Sequence, residues 1–257
     1  MIEEYNFSKK FSDKLMYLFA FLGGLLLLIL GSVIFIIPLL VNSNALTLNI
    51  SQEELTNTIY TYAGFLSVAS AILGIGAYTI FFSKTFSEDL VKFKKKIWRN
   101  LIIIAIAIVT IFLLSYFFEW LYNKLSMTPD SENEKAVNLG MTGNGKWMMI
   151  IDVVIFAPIF EELVFRKCLF GFFRRTKLPI VLSLFLTAFV FAIIHCTTEN
   201  FLSLEAYIYL SNYMALSLML CLAYYYARES IYTSIIIHMI NNLISVLAFF
   251  GVFNVII

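Results

Sequence analysis

Two adjacent glutamates, Glu161 and Glu162, stand in the otherwise apolar run IFAPIFEELVFRKCLFGFF, with Arg166 four residues after the second. A charge inside a membrane span costs at least about 2.5 kcal/mol on insertion scales, so intramembrane acids point to function. At about 100° per residue, Glu162 and Arg166 share a helix face in the favourable acid-first order, and their spacing predicts a salt bridge. Glu161 is turned about 100° from Glu162 and about 140° from Arg166, which leaves it as the free carboxylate. Pro158, three residues before Glu161, removes a backbone donor and is expected to disturb the carbonyl near Val154. Both histidines of the chain also fall in apolar runs: His195 ends FVFAIIH, and His238 begins HMINN, with Asn242 one turn later on the same face.

A free carboxylate, two imidazoles and a carboxamide are the groups of which a hydrolytic site can be built. The carboxylate takes a proton from water, and an Asn amide with an imidazole N–H donates to the oxyanion that forms. Neither a covalent nucleophile, a metal nor a cofactor is required. Two His and one Glu with an open position also match some catalytic zinc sites, with Glu162 as the base. Against that reading, HExxH is absent, the histidines lie on separate helices, and Glu162 already has Arg166 as a counter-ion. Cys168, Cys196 and Cys221 form no CxxC spacing and read as small buried hydrophobes. Cys196 follows His195 directly, so on a helix the two point about 100° apart and make no nucleophilic dyad. GxSxG and GxGD are absent.

The elements that must position these groups are membrane helices. Of 257 residues, 61% are hydrophobic and 14% charged, well below the roughly 25% charged of a soluble domain. Eighteen basic and 17 acidic residues leave a net charge of +1, too little basic excess for nucleic acid to be a partner. Seven stretches approach the roughly 20 apolar residues of a span: Leu15 to Val41, Ile59 to Phe82, Leu101 to Phe118, Trp147 to Phe170, Pro179 to His195, Ala206 to Tyr226 and Ile231 to Phe253. The expected fold is an all-α, polytopic membrane helix bundle. Lysines and arginines gather in Ser83 to Asn100 and Lys167 to Lys177, which places both on the cytoplasmic side. Asn42 to Leu55 and Cys196 to Glu205 lack them and read as external loops. The N-terminus, with Lys9, Lys10 and Lys14, is then cytoplasmic, in a multi-pass protein of the cell membrane. Glu119 to Lys146 reads as an external polar linker ending in the turn sequence MTGNGKW, between a first part, 1–146, and a motif-bearing part, 147–257. Asp152, nine residues before Glu161, falls about 180° away on an α-helix and is left outside the site.

EELVFR (Glu161 to Arg166) fits EExxxR, FAIIH (Phe191 to His195) fits FxxxH, and HMINN (His238 to Asn242) fits HxxxN, in that order. With these motifs the sequence resembles the CAAX protease and bacteriocin-processing family of intramembrane endopeptidases, also called the Abi family. The likeness covers about 110 residues, Trp147 to Ile257. It implies that Glu161 and His195 prepare the water, that His238 and Asn242 stabilise the oxyanion, and that Glu162, Arg166 and Phe191 support them. It also implies a peptide or small protein substrate at the lipid bilayer: a prenylated CAAX end, a bacteriocin leader or a signalling peptide. The family is often drawn with eight spans, against the seven read here.

The helix lengths set a condition on this reading. Measured from the cytoplasmic ends, Glu161 lies roughly 14 to 20 Å deep, His238 about 10 Å and His195 about 24 Å. The fifth helix must therefore tilt, start deeper or continue beyond His195. Basic cytoplasmic loops favour substrate entry from their side. Two other functions compete: a non-catalytic membrane scaffold or immunity protein, and a proton or ion pathway.

Overall fold

The computed structural model describes residues 11–32 and 51–252. The end of the first predicted span, the loop Asn42 to Leu55 up to Ile50, Lys9 and Lys10, and Phe253, the last residue of the seventh span, lie outside the described residues.

The fold is all-helical among the described residues. Each of the seven apolar stretches carries a helix, as the hydropathy demands. α1 is Phe11–Ser32, α2 Gln52–Lys95 and α3 Ile97–Leu125. A short α4, Glu132–Gly140, follows. The fourth stretch is one continuous rod that changes pitch: α5 Lys146–Ile151, π1 Asp152–Phe156, α6 Ala157–Glu162, π2 Leu163–Phe170 and α7 Gly171–Arg175. α8 Ile180–His195, α9 Leu204–Tyr226 and α10 Ile231–Phe249 complete the bundle. Tyr60–Lys95, Ile97–Leu125, Leu204–Tyr226 and Ile231–Phe249 are each long and apolar enough to cross a membrane, and α8 is apolar but shorter. Large exposed side chains such as Ile80, Phe81, Ile102 and Leu113 give these helices apolar outer faces suited to lipid.

The rod is the centre of the molecule. Every residue of π2 is buried, which fits a segment apolar on all sides except for Arg166 and Lys167. Phe160, Phe165 and Phe170 join Tyr17, Phe21, Tyr78, Phe191 and Tyr224 in one aromatic-rich core. Small residues let the neighbouring helices approach: a Cβ on Gly74 of α2 would overlap the Phe160 ring, and one on Gly24 of α1 would overlap Tyr78 and Val164.

The predicted loops differ from the observed ones. The basic stretch after Phe82 is helical to Lys95; α2 breaks only at Phe82 itself (φ −117°, ψ 18°), where the apolar span was expected to end. Lys167 Nζ bonds to Asp89 Oδ2, so the two basic segments share one end of the bundle. At the other end, the Glu132 N–H donates to Glu199 Oε1 (2.6 Å), joining the Cys196 to Glu205 loop to the segment after α3. That segment is only in part a linker. α3 runs on to Leu125, and Ser131 and Glu134 form a capping box that starts α4.

Candidate active site

Pro158 and the π1 pitch determine how the rod meets α10. In π1 the Ala157 N–H bonds to Asp152 O, five residues back. The next donor in that register would be residue 158, but proline has none, so Val153 O is left without its helical partner. Asn242 Nδ2 of α10 takes it at 2.9 Å. The carbonyl it takes, Val153, lies beside Val154, near which α-helical spacing places the disturbance. The bond docks α10 on the rod and fixes the carboxamide.

The two glutamates address one imidazole from its two sides. His238 Nδ1 is 2.9 Å from Glu162 Oε1, and His238 Nε2 is 3.8 Å from Glu161 Oε2. His195 Nε2 is also 3.8 Å from Glu161 Oε2, while its Nδ1 is 2.9 Å from Phe191 O. The partners of the two Nδ1 atoms, a carbonyl and a carboxylate, accept only. Each neutral imidazole thus carries its proton on Nδ1 and turns a lone pair at Nε2 toward Glu161. The 3.8 Å gaps are too long for direct hydrogen bonds and suit a bridging water.

Arg166 closes the supporting layer. Its NH1 lies 2.9 Å from Glu162 Oε1, and its NH2 donates to Ser217 Oγ (2.9 Å) and Ser217 O (3.2 Å). Phe191 lies between the groups: Arg166 sits 4.9 Å from its ring centroid, His195 stacks on it at 4.2 Å, and His238 meets it edge-on at 6.1 Å. Glu162 and Arg166 are fully buried, as a salt bridge inside the bundle must be.

Glu161, His195, His238 and Asn242 face one cavity of about 300 Å³, at the lower end of the range for ligand pockets. The structure thus brings the four predicted side chains together. α8 ends at His195, so the extension beyond it considered from helix lengths does not occur.

Sequence reasoning missed several residues around this cavity. Asp152 lines it, because each π residue turns the chain less than an α residue and so reduces the 180° offset from Glu161. Asn241 lines it too, and its Nδ2 donates to Asn242 Oδ1 (3.2 Å). Asn133, Glu134, Val137 and Asn138 of α4 form part of the wall, whereas no residue of Ser83 to Asn100 or Lys167 to Lys177 does. The lining of the cavity thus draws on the end of the bundle opposite the basic segments. Burial pushes the Glu134 carboxyl above its ordinary value, against the Ser131 hydrogen bonds that lower it. Tyr213 links this wall to the site: its hydroxyl pairs with Ser131 Oγ (2.9 Å) and accepts from Asn133 Nδ2 (3.2 Å), and its ring packs 5.1 Å from His195. The S-x-x-E capping box, Ser131 to Glu134, was the available signal for α4. Among the described residues, no group of three or more His, Cys, Asp or Glu is arranged to hold a metal ion. The three cysteines are buried and free.

Residues 143–244 match the family described as type II CAAX prenyl endopeptidase Rce1-like. That segment of the chain is thus similar to the Rce1-like family. The Rce1-like segment includes Glu161, Glu162, Arg166, Phe191, His195, His238 and Asn242, and leaves out α1 to α4. The chain is also 26% identical over 144 residues to the UPF0177 protein YaiH of Lactococcus lactis subsp. lactis (strain IL1403), covering 56% of this chain and 55% of YaiH. It thus spans about half the length of the curated relative it matches. No solved structure matches the chain.

Proposed function

We propose that the protein is an intramembrane endopeptidase that hydrolyses membrane-associated peptides or small proteins with a glutamate-activated water. The observation that carries this reading is the placement of Glu161 Oε2 at 3.8 Å from both Nε2 atoms, inside a cavity. The Rce1-like match supports the same class.

In the proposed sequence, water sits between Glu161 and His195 and attacks the substrate carbonyl as its proton goes to Glu161, which passes that same proton on to His238 Nε2. Asn242 uses one Nδ2–H on Val153 O and has the second for the oxyanion. His238 in its neutral form offers a lone pair, so it becomes a donor to the oxyanion only after accepting a proton at Nε2. Glu162 on Nδ1 stabilises that imidazolium. Collapse of the intermediate passes the proton to the leaving amine. Glu162, Arg166 and Phe191 position these groups. Residues 147–257 supply the reacting side chains, and residues 1–146 contribute cavity wall through α2 and α4. The multi-pass chain is assigned to the cell membrane, with the lysine-rich end and the N-terminus cytoplasmic.

The two converging Nε2 lone pairs also favour a second reading, a metal-dependent version of the same protease. It is the weaker one, because Glu162, the base it would need, is engaged by Arg166 and His238. The deciding experiment reconstitutes the protein in nanodiscs with a library of CAAX-ended and leader-type peptides. Cleavage by wild type and none by Glu161→Gln supports the assignment; equal cleavage by both ends it.

A further inference from the structure

Among the described residues, the cavity that holds Glu161 is lined by three carboxylates and by no lysine or arginine. Two of the three have work already. Glu161 faces the imidazoles, and Glu134 Oε2 accepts from both the N–H and the hydroxyl of Ser131. Asp152 differs. It is 5% exposed; its Oδ2 accepts from Ser67 Oγ, and its buried Oδ1 has no hydrogen-bond partner among the described residues. A buried carboxylate oxygen without a donor is costly, and a ligand group that supplies one recovers that cost.

We infer that Asp152, held by Ser67, is a subsite for an alkylammonium or guanidinium group of the substrate, and that the protein selects peptides with a basic residue close to the scissile bond. The inference rests on the endopeptidase reading for the identity of the ligand as a peptide. Nine residues separate Asp152 from Glu161, at most about 13 Å of helix rise, which three or four extended peptide residues span. Asn242 docks at Val153, between the two acids along the rod, so a peptide whose carbonyl lies at Asn242 can reach Asp152 with a neighbouring side chain. Ser67 belongs to α2, outside the Rce1-like segment, so this preference depends on the chain's first half.

Binding is measured directly, so that the result does not depend on turnover. The full chain carrying Glu161→Gln, in nanodiscs, is titrated with fluorescent peptides of one scaffold in which Lys, norleucine or Glu occupies each of the four positions on either side of the centre, with acetylated or free N-termini. One Lys position should bind about tenfold or more tighter than norleucine, with Glu weaker still, and Asp152→Asn should bring Lys and norleucine within about twofold. Equal affinities at every position, or a Lys preference that survives Asp152→Asn, overturns the subsite. Should Asp152→Asn fail to fold, the ranking of Lys, norleucine and Glu on the parent protein decides alone. A preference that follows the free N-terminus keeps the cation site and makes the terminal ammonium its occupant. Wild-type protein that binds Lys peptides through Asp152 but cuts none of them keeps the subsite and ends the protease reading; cleavage without any basic preference does the reverse.

Discussion

His238 Nδ1 lies 2.9 Å from Glu162 Oε1, the same oxygen that meets Arg166. The helix brace and the orientation of a site imidazole are thus one interaction, where helical spacing alone suggested a simple salt bridge. Adjacent glutamates, pointing about 100° apart, reach the two nitrogens of a single ring.

Glu161 is expected to be indispensable. General-base catalysis contributes about 10²- to 10⁴-fold, so Glu161→Gln should lower kcat by that order while leaving KM within a few-fold, as read in single-turnover cleavage assays. A kcat within threefold of wild type would remove Glu161 from the mechanism.

Glu162→Gln should fail differently. It leaves Arg166 buried with reduced compensation, and breaking such a pair costs about 3 to 5 kcal/mol. Thermal unfolding in detergent should show a large loss of stability. The double variant Glu162→Gln with Arg166→Met should recover much of that stability without recovering activity, because His238 still lacks the carboxylate charge at Nδ1 that stabilises its imidazolium.

Asn242→Ala removes both the anchor on Val153 O and the proposed oxyanion donor. Loss of one such donor costs about 10²- to 10³-fold in kcat. Asn242→Asp keeps the side-chain volume but has no N–H, so it should be equally inactive; wild-type-like turnover by either variant would place the oxyanion elsewhere.

Tyr213→Phe keeps the ring against His195 and deletes the hydroxyl bonds to Ser131 and Asn133. Hydrogen exchange in 132–140 should accelerate by about tenfold, the equivalent of one or two lost hydrogen bonds. Unchanged protection of α4 would show that the hydroxyl does not hold it.

Exhaustive chelation separates the two versions of the chemistry. Cleavage by protein dialysed against a strong chelator should persist at the untreated rate. Loss that zinc restores would favour the metal-dependent version.

The composition and the three motifs made the bundle and its four converging side chains legible, because apolar run length and one-turn spacing are local properties. The arrangement around them was less so. Asp152 was misplaced because a uniform 100° per residue ignores the wider turn of π1. The partner of Asn242 was missed for a related reason: the carbonyl that Pro158 leaves free depends on whether the register is four residues or five. α4 was read as linker because polar composition outweighed the capping signal at Ser131 and Glu134. Contacts from Ser67 and Tyr213 are long-range, and one chain's spacing carries no information about them.

The two π segments make pitch, rather than residue type, the tightest constraint on the rod. Five residues at π pitch turn the chain about 90° less than five at α pitch, so drawing Asp152–Phe156 into an ordinary α-helix would swing everything upstream by about that angle relative to the glutamates. Asp152 would leave the cavity and Val153 would turn from Asn242, although every side chain named in the chemistry would still be present. Removing one amino acid together with the wide turn cancels most of that swing, so the extra residue and the pitch act as one device.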